Sequence, residues 1–165
     1  GLHLVVSSIC RIPPESVDPT IKHYHWLDFE MGLLDAFDRG GDTVVLLDRD
    51  GHITEGPGFN LFLVQNGSIT TPENGILDGM TRRTLFELCA ELEIRCTATS
   101  IPATQITSSG EVFISSTAGG IIPVTTVNKQ IIGDGLVGPI TRALRDLYWE
   151  KRGSGWHGTP IERSS

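Results

Sequence analysis

The sequence predicts a mixed α/β domain in which short strands outnumber helices, and three observations carry that expectation. Short runs of alternating or continuous apolar residues are separated by Gly, Asn, Asp and Pro turn signals, the pattern of strands. Three longer stretches repeat apolar residues at helical spacing. The chain has 165 residues, 39% of them hydrophobic and 20% charged, which is the length of one domain with enough apolar side chains to fill a core.

Taken in order, Leu2–Ser7 alternates as a strand and runs into Cys10-Arg11-Ile12-Pro13-Pro14. A chain that opens in mid-strand reads as the later part of a longer protein. Residues 1–14 are therefore expected to be strand and linker following a preceding domain, with the main domain at 15–152 and a loose Gly/Ser/Pro-rich tail at 153–165. A helix is expected from about His23 to Arg39, where Leu27, Met31, Leu34 and Phe37 recur at helical spacing and Gly40-Gly41 supplies a stop. Strands follow at Thr43–Asp48, His52–Glu55 and Phe59–Gln65, the first two joined by a turn through Asp48-Arg49-Asp50-Gly51. Asn66-Gly67, the strongest hairpin signal in the chain, folds the third strand back onto Ser68–Thr71. Thr81–Glu93 is the clearest helix, with Leu85, Leu88, Cys89 and Leu92 on one face and Asp78 as a candidate cap. Strands at Ile94–Thr99, Val112–Ser115 and Ile122–Val127 come next, then a hairpin through Asn128-Lys129 into Gln130–Ile132. The last helix opens at Pro139 and carries Ile140, Leu144, Leu147 and Tyr148 on one side.

Charge and composition narrow the partners. The net charge is −7, and no Lys/Arg cluster exceeds a pair, so nothing offers a nucleic-acid backbone a basic face. Apolar runs such as Val44–Leu47 are far too short to span a bilayer, and no basic-then-apolar leader opens the sequence. Cys10, Cys89 and Cys96 form no closed disulfide framework and no C-x-x-C pair, which fits a reducing, cytoplasmic setting. Gly133–Gly138 matches G-x-G-x-x-G, but a hairpin arm precedes it and no ribose-binding acid follows in a βαβ unit. His23 and His25 lack a third ligand, so no metal site is expected. Asn66-Gly67-Ser68 fits a glycosylation sequon but is better explained as the hairpin turn.

The chemistry-bearing residues are few. The only lysines are Lys22, Lys129 and Lys151, and Lys22 alone lies outside a hairpin tip or the C-terminal region, where a loop meets a helix among Tyr24, Trp26 and Leu27. Partly apolar surroundings lower a lysine pKa and favour Schiff-base chemistry. Glu55 stands beside the glycine-bracketed bend Gly56-Pro57-Gly58. Gly79-Met80-Thr81 opens a helix, where free N–H groups attract phosphate, and Ser115–Gly120 offers hydroxyls and bare backbone after a strand. Lysine, carboxylate and two phosphate cradles are the parts of a pyridoxal-phosphate site.

Val17-Asp18-Pro19-Thr20-Ile21-Lys22, Trp26-x-Asp28, Gly32-Leu33 and Asp38-Arg39-Gly40 resemble the catalytic-lysine segment of the (R)-selective amine transaminases, in the branched-chain/D-amino-acid aminotransferase superfamily. The resemblance continues in order through Thr54-Glu55-Gly56-x-Gly58-Phe59-Asn60, Gly79-x-Thr81-Arg82, Ser116–Ile121 and Gly138-Pro139-Ile140-Thr141, covering about residues 11–150. It implies the large C-terminal domain of the fold type IV pyridoxal-phosphate enzymes, a pseudo-barrel of mixed strands with flanking helices. It implies that Lys22 forms the Schiff base with pyridoxal 5′-phosphate and moves the substrate proton, and that Glu55 pairs with the pyridine nitrogen. Met80 through its N–H, Thr81, Ser116 and Thr117 would hold the phosphate, and Ala118 and Gly119 would floor the substrate pocket. The implied reaction moves an amino group from an amine or amino acid to a keto acid such as pyruvate, in a homodimer. The family's smaller N-terminal domain, with its phosphate-binding arginine, has no counterpart segment here.

Two departures bear on the subgroup. Met80 stands where isoleucine is common, and Trp26-Leu27 replaces the Asn-Tyr pair usual in branched-chain enzymes, which points away from that subgroup. Alternative readings are a branched-chain or D-amino-acid aminotransferase, an aminodeoxychorismate-type lyase, or a non-catalytic binding module on the same fold.

Overall fold

The computed structural model describes residues 1–161. Eight strands form one curled, half-barrel sheet: β1 (Leu2–Cys10), β2 (Thr43–Leu47), β3 (Asn60–Gln65), β4 (Ser68–Pro72), β5 (Cys96–Thr99), β6 (Glu111–Ser116), β7 (Gly120–Val127) and β8 (Gln130–Ile131). Their order is β2-β1-β7-β6-β3-β4-β5, with β8 on β7. The pairs β1/β2, β1/β7 and β4/β5 are parallel; β3/β4, β3/β6, β6/β7 and β7/β8 are antiparallel. Three helices flank it: α1 (Leu27–Asp38), α2 (Met80–Glu91) and α3 (Pro139–Gly153). The expected mixed α/β class and pseudo-barrel are what the chain forms.

Strand alternation sorts the core into layers. On β6, Val112 and Ile114 join Leu61, Leu63, Val124, Ile101 and Ile106 inside the curl. Phe113 faces the other way, stacks on its cross-strand partner Phe62 at 4.9 Å, and packs with Leu85 and Leu88 of α2 and Leu144 and Tyr148 of α3. A third cluster joins Phe29 and Ala36 of α1 to Val5, Val44 and Leu46. Gly32 is part of that contact, since a Cβ there would come 2.8 Å from the Leu46 side chain.

Local signals explain most boundaries. Asn66 and Gly67 both take positive φ (50° and 76°), as a tight hairpin turn demands. The α1 stop is a Schellman arrangement: Gly40 N–H bonds the Phe37 carbonyl, Gly41 N–H bonds the Ala36 carbonyl, and Gly40 has φ 76°.

Several expectations are corrected. The helix expected from His23 begins at Leu27, because residues 21–26 remain irregular. Its buried side is Phe29, Gly32 and Ala36, while Leu27, Met31, Leu34 and Phe37 are exposed. His52–Glu55 makes bridges and hydrogen bonds to Leu46 and Asp48 but no continuous strand. Asp78 does not cap α2; Gly79 holds that position with no side-chain cap, and Asp78 pairs with Arg82 and Arg83 instead. The strand expected at Leu2–Ser7 does form, as β1, and lies inside the sheet between β2 and β7. Helix α3 extends to Gly153, into the expected tail, of which residues 162–165 lie outside the described residues. Among the described residues no helix is long and apolar enough to cross a membrane.

Candidate active site

One cleft of about 320 Å³ opens where the start of β3, the end of β6, the start of α2, the 55–59 bend and the 11–26 segment converge. Glu55 is set at its base by that bend. Thr54 bonds the Leu46 carbonyl through both N–H and hydroxyl, and Glu55 returns its carbonyl to Leu46 N–H at 3.1 Å. The chain then doubles back at Gly56, where a Cβ would lie 2.3 Å from the Val44 carbonyl oxygen, so only glycine fits. Gly58 at φ 80° completes the bend and delivers Asn60 to the start of β3.

Glu55 is 6% exposed, with one hydrogen-bond partner on each carboxylate oxygen. Its Oε2 accepts the Leu77 N–H at 2.8 Å and its Oε1 accepts Arg11 Nη2 at 3.3 Å. Arg11, itself buried, donates Nη1 to Asp28 Oδ2 at 2.6 Å and lies 4.1 Å from the Phe29 ring centroid. Asp28 in turn accepts the Ile12 and Phe29 N–H groups. The result is a fixed line of charges, Asp28–Arg11–Glu55, ending on backbone. Burial pushes the Glu55 carboxyl above its ordinary range, against the pull of the Leu77 N–H and the Arg11 guanidinium.

The loop before α2 is gripped from both sides. Glu55 takes the Leu77 N–H, and Asn60 Nδ2 donates to the Leu77 carbonyl at 2.8 Å. Asn60 Oδ1 sits 2.5 Å from where a Gly79 Cβ would be. Arg82 ties the first turn down through Asp78 at 2.7 Å and the Pro72 carbonyl at 3.0 Å. This leaves the α2 N-terminus uncapped and facing the cleft, with Gly79, Met80 and Thr81 in its lining. Helix α3 shows the contrast. Its N-terminal Ile140 and Thr141 N–H groups and the Thr141 hydroxyl all donate to the Glu111 carboxylate, and a Cβ on Gly138 would fall 2.0 Å from the Glu111 carboxyl carbon. The G-x-G-x-x-G loop therefore ends on a helix terminus already closed by an anion of the chain itself.

Lys22, Glu55, Met80, Thr81, Ser116 and Thr117 all line the cleft; Ala118 and Gly119 do not, standing beyond it in the 117–119 turn, where Gly119 N–H bonds Ser116 Oγ at 3.0 Å. The partly apolar surroundings expected of Lys22 are not formed: it is solvent-exposed at the cleft mouth, near Ile21, His23 and Trp26. Sequence reasoning missed Arg11 as part of the cleft, left Asn60 and Asp28 unassigned within their motifs, and read Ser115 only as the start of an anion-friendly turn. A buried arginine after a strand carries no local signal; Asn60, after a glycine bend, carried a weak one.

The family described as amino-transferase class IV matches residues 2–127. A probable branched-chain-amino-acid aminotransferase of Aquifex aeolicus is 34% identical over 153 residues, 90% of this chain and 49% of its own length. A putative branched-chain-amino-acid aminotransferase of Methanocaldococcus jannaschii is 30% identical over 154 residues, 92% of this chain and 54% of its own. The solved branched-chain amino acid aminotransferase of Thermobaculum terrenum, in its PLP form, superposes with a TM-score of 0.89 at 31% identity, covering 94% of this chain and 52% of that one. The branched-chain aminotransferase of Thermoproteus uzoniensis, solved with norvaline, gives 0.86 at 29% identity, over 91% and 50%. The chain spans about half the length of these relatives, and between a quarter and a third of two plant branched-chain aminotransferase-like proteins.

Proposed function

The chain belongs to the class IV aminotransferases, and on that premise we propose that it is the pyridoxal-phosphate-binding domain of a transaminase that moves an amino group from an amine or amino acid to a keto acid. The observation that carries the reading is one cleft holding Lys22, a buried carboxylate and an uncapped helix N-terminus together. The residues fit the cofactor. Glu55 offers an acceptor to a pyridine nitrogen, and the Met80 and Thr81 N–H groups, with the Thr81, Ser116 and Thr117 hydroxyls, offer donors to a phosphate. When bound, pyridoxal phosphate supplies an aldehyde that captures an amine and a ring that accepts the electrons released on deprotonation.

The protein's part is to hold, orient and move protons. Glu55, held by Leu77 and Arg11, would accept a hydrogen bond from the ring nitrogen, and its raised affinity for a proton would suit a shared hydrogen bond there. Lys22 supplies the amine that carries the cofactor, and its Nζ then takes the proton from the substrate α-carbon and returns it. Ala118 and Gly119, outside the cleft of the isolated chain, are proposed to meet the substrate from the adjoining turn.

The Trp26-Leu27 pair supports an amine donor of the (R)-selective class, with Trp26 in the cleft wall against Phe29. The names of the relatives favour a branched-chain amino acid as the second reading. Borohydride reduction of the full-length protein with pyridoxal phosphate, followed by peptide mapping, is expected to label Lys22. Lys22→Ala is expected to lower transamination at least ~10⁴-fold, the loss of covalent and general-base catalysis together. Label on Lys129 or Lys151, or a variant as fast as the parent, rejects the reading. Comparing leucine, D-alanine and an (R)-arylalkylamine as donors separates the two substrate classes.

A further inference from the structure

Three buried side-chain polar atoms among the described residues have no hydrogen-bond partner: Arg11 Nε, Arg82 Nε and Ser115 Oγ. The two arginines are otherwise engaged, Arg11 by Asp28 and Glu55 and Arg82 by Asp78 and the Pro72 carbonyl. Ser115 has nothing. It is 2% exposed, lines the cleft, and carries a hydroxyl that the fold itself does not use. A buried hydroxyl left unpaired is costly, and folded proteins keep few of them outside working sites.

Its place in the sheet says what it faces. Ser115 is the direct cross-strand partner of Asn60. On both strands the alternation assigns this face to the α2/α3 side, since Phe62 and Phe113, two residues along, pack with those helices. Asn60 reaches up to the Leu77 carbonyl and fills the space beside Gly79. Ser115 therefore lies beneath the first turn of α2, the uncapped end that faces the cleft. The next two residues, Ser116 and Thr117, enter the same cleft from the strand end. A helix N-terminus attracts an anion, and an unpartnered buried hydroxyl beneath it is a donor waiting for one.

We infer that Ser115 is a phosphate ligand: its hydroxyl donates to the anion held at the α2 N-terminus, from the sheet side, opposite the helix N–H groups. The assignment rests on the pyridoxal-phosphate reading and adds to it a residue that sets selectivity for the phosphorylated cofactor over its dephosphorylated form. Ser115 positions the cofactor and takes no part in proton transfer.

The test is Ser115→Ala in the full-length protein, with pyridoxal 5′-phosphate and pyridoxal each titrated into apoprotein and followed by cofactor absorbance. Loss of one hydrogen bond to a charged group predicts a rise of roughly 10- to 100-fold in the dissociation constant for pyridoxal phosphate and no change for pyridoxal. The apoprotein variant is expected to melt no lower than the parent, because the substitution removes an unsatisfied buried hydroxyl, and to gain less on adding pyridoxal phosphate. A merely structural serine gives the opposite pattern, a lower apo melting temperature and equal losses for both ligands, and overturns the assignment. Unchanged affinity for pyridoxal phosphate also overturns it, with the transaminase reading intact. A parent protein that binds neither compound rejects the transaminase reading itself, and the Ser115 assignment falls with it.

Discussion

Removing the Arg11 guanidinium would leave the buried Glu55 and the half-buried Asp28 carboxylates without the cation between them. Breaking a buried ion pair from one side costs about 3–5 kcal/mol, because the remaining charge cannot recover its water. Arg11→Ala is therefore expected to lower unfolding free energy by about that amount in denaturant melts, whereas Arg11→Lys keeps the charge but loses the two-pronged contact and falls between. An Arg11→Ala loss under ~1 kcal/mol would mean that the line Asp28–Arg11–Glu55 is not formed, since that is the range of an exposed pair. The same three residues show what a sequence conceals at this scale. Glu55 was legible because a carboxylate beside Gly56-Pro57-Gly58 is a local pattern, and Lys22 because lysines are scarce. Arg11 was not, since its role comes from burial and from partners tens of residues away in the chain, and of Ser115 only its place in an anion-friendly turn was legible, not its buried, unpartnered hydroxyl.

Two helices of this domain begin alike, with glycine before the first turn, yet only α3 is closed by a carboxylate. In α2 the acidic residue beside the turn works differently. Burial alone would raise the Asp78 pKa, but hydrogen bonds and charge from Arg83 and Arg82 outweigh it and hold the carboxyl below its ordinary range. A depressed carboxylate stabilises the fold above its unfolded pKa and loses that contribution as pH falls through the folded value. Asp78→Asn is thus expected to melt below the parent at neutral pH. The two curves should converge as pH drops below about 3.9, the unperturbed aspartate value. A gap constant across that window would show that the Asp78–arginine pairs contribute nothing through charge. At this scale the sequence was readable wherever a signal was local: the Asn66-Gly67 turn, the glycine stop of α1, and the apolar spacing of α2 and α3. It failed at His52–Glu55, whose pairing is too short to extend a strand, and at the start of α1, where helical spacing begins after the irregular 21–26 segment.

Across the whole molecule the sheet curls around one core, and two helices cover the opposite face while α1 covers β1 and β2. β3 and β6 were legible as strands from the continuous apolar runs Leu61–Val64 and Val112–Ile114, buried on both faces, but the orientation of α1 was not legible. Its most regular apolar stripe, Leu27, Met31, Leu34 and Phe37, points outward, and the side that packs is the smaller set Phe29, Gly32 and Ala36. Periodicity reports that a helix has two unlike faces; it does not say which face meets this sheet and which meets something else. Ile21, exposed as well, lines the cleft next to Lys22. Contiguous exposed apolar residues of this kind mark association surfaces, and two-fold pairing of identical chains is the commonest association among soluble oligomers. Light scattering of the full-length protein is expected to give twice the mass of one chain. The double substitution Leu34→Glu with Phe37→Glu, at positions 65% and 57% exposed, should halve that mass while leaving the melting temperature of the monomer little changed. A parent that runs as a monomer rejects the homodimer, and a variant that stays dimeric moves the contact off α1 to another face of the domain.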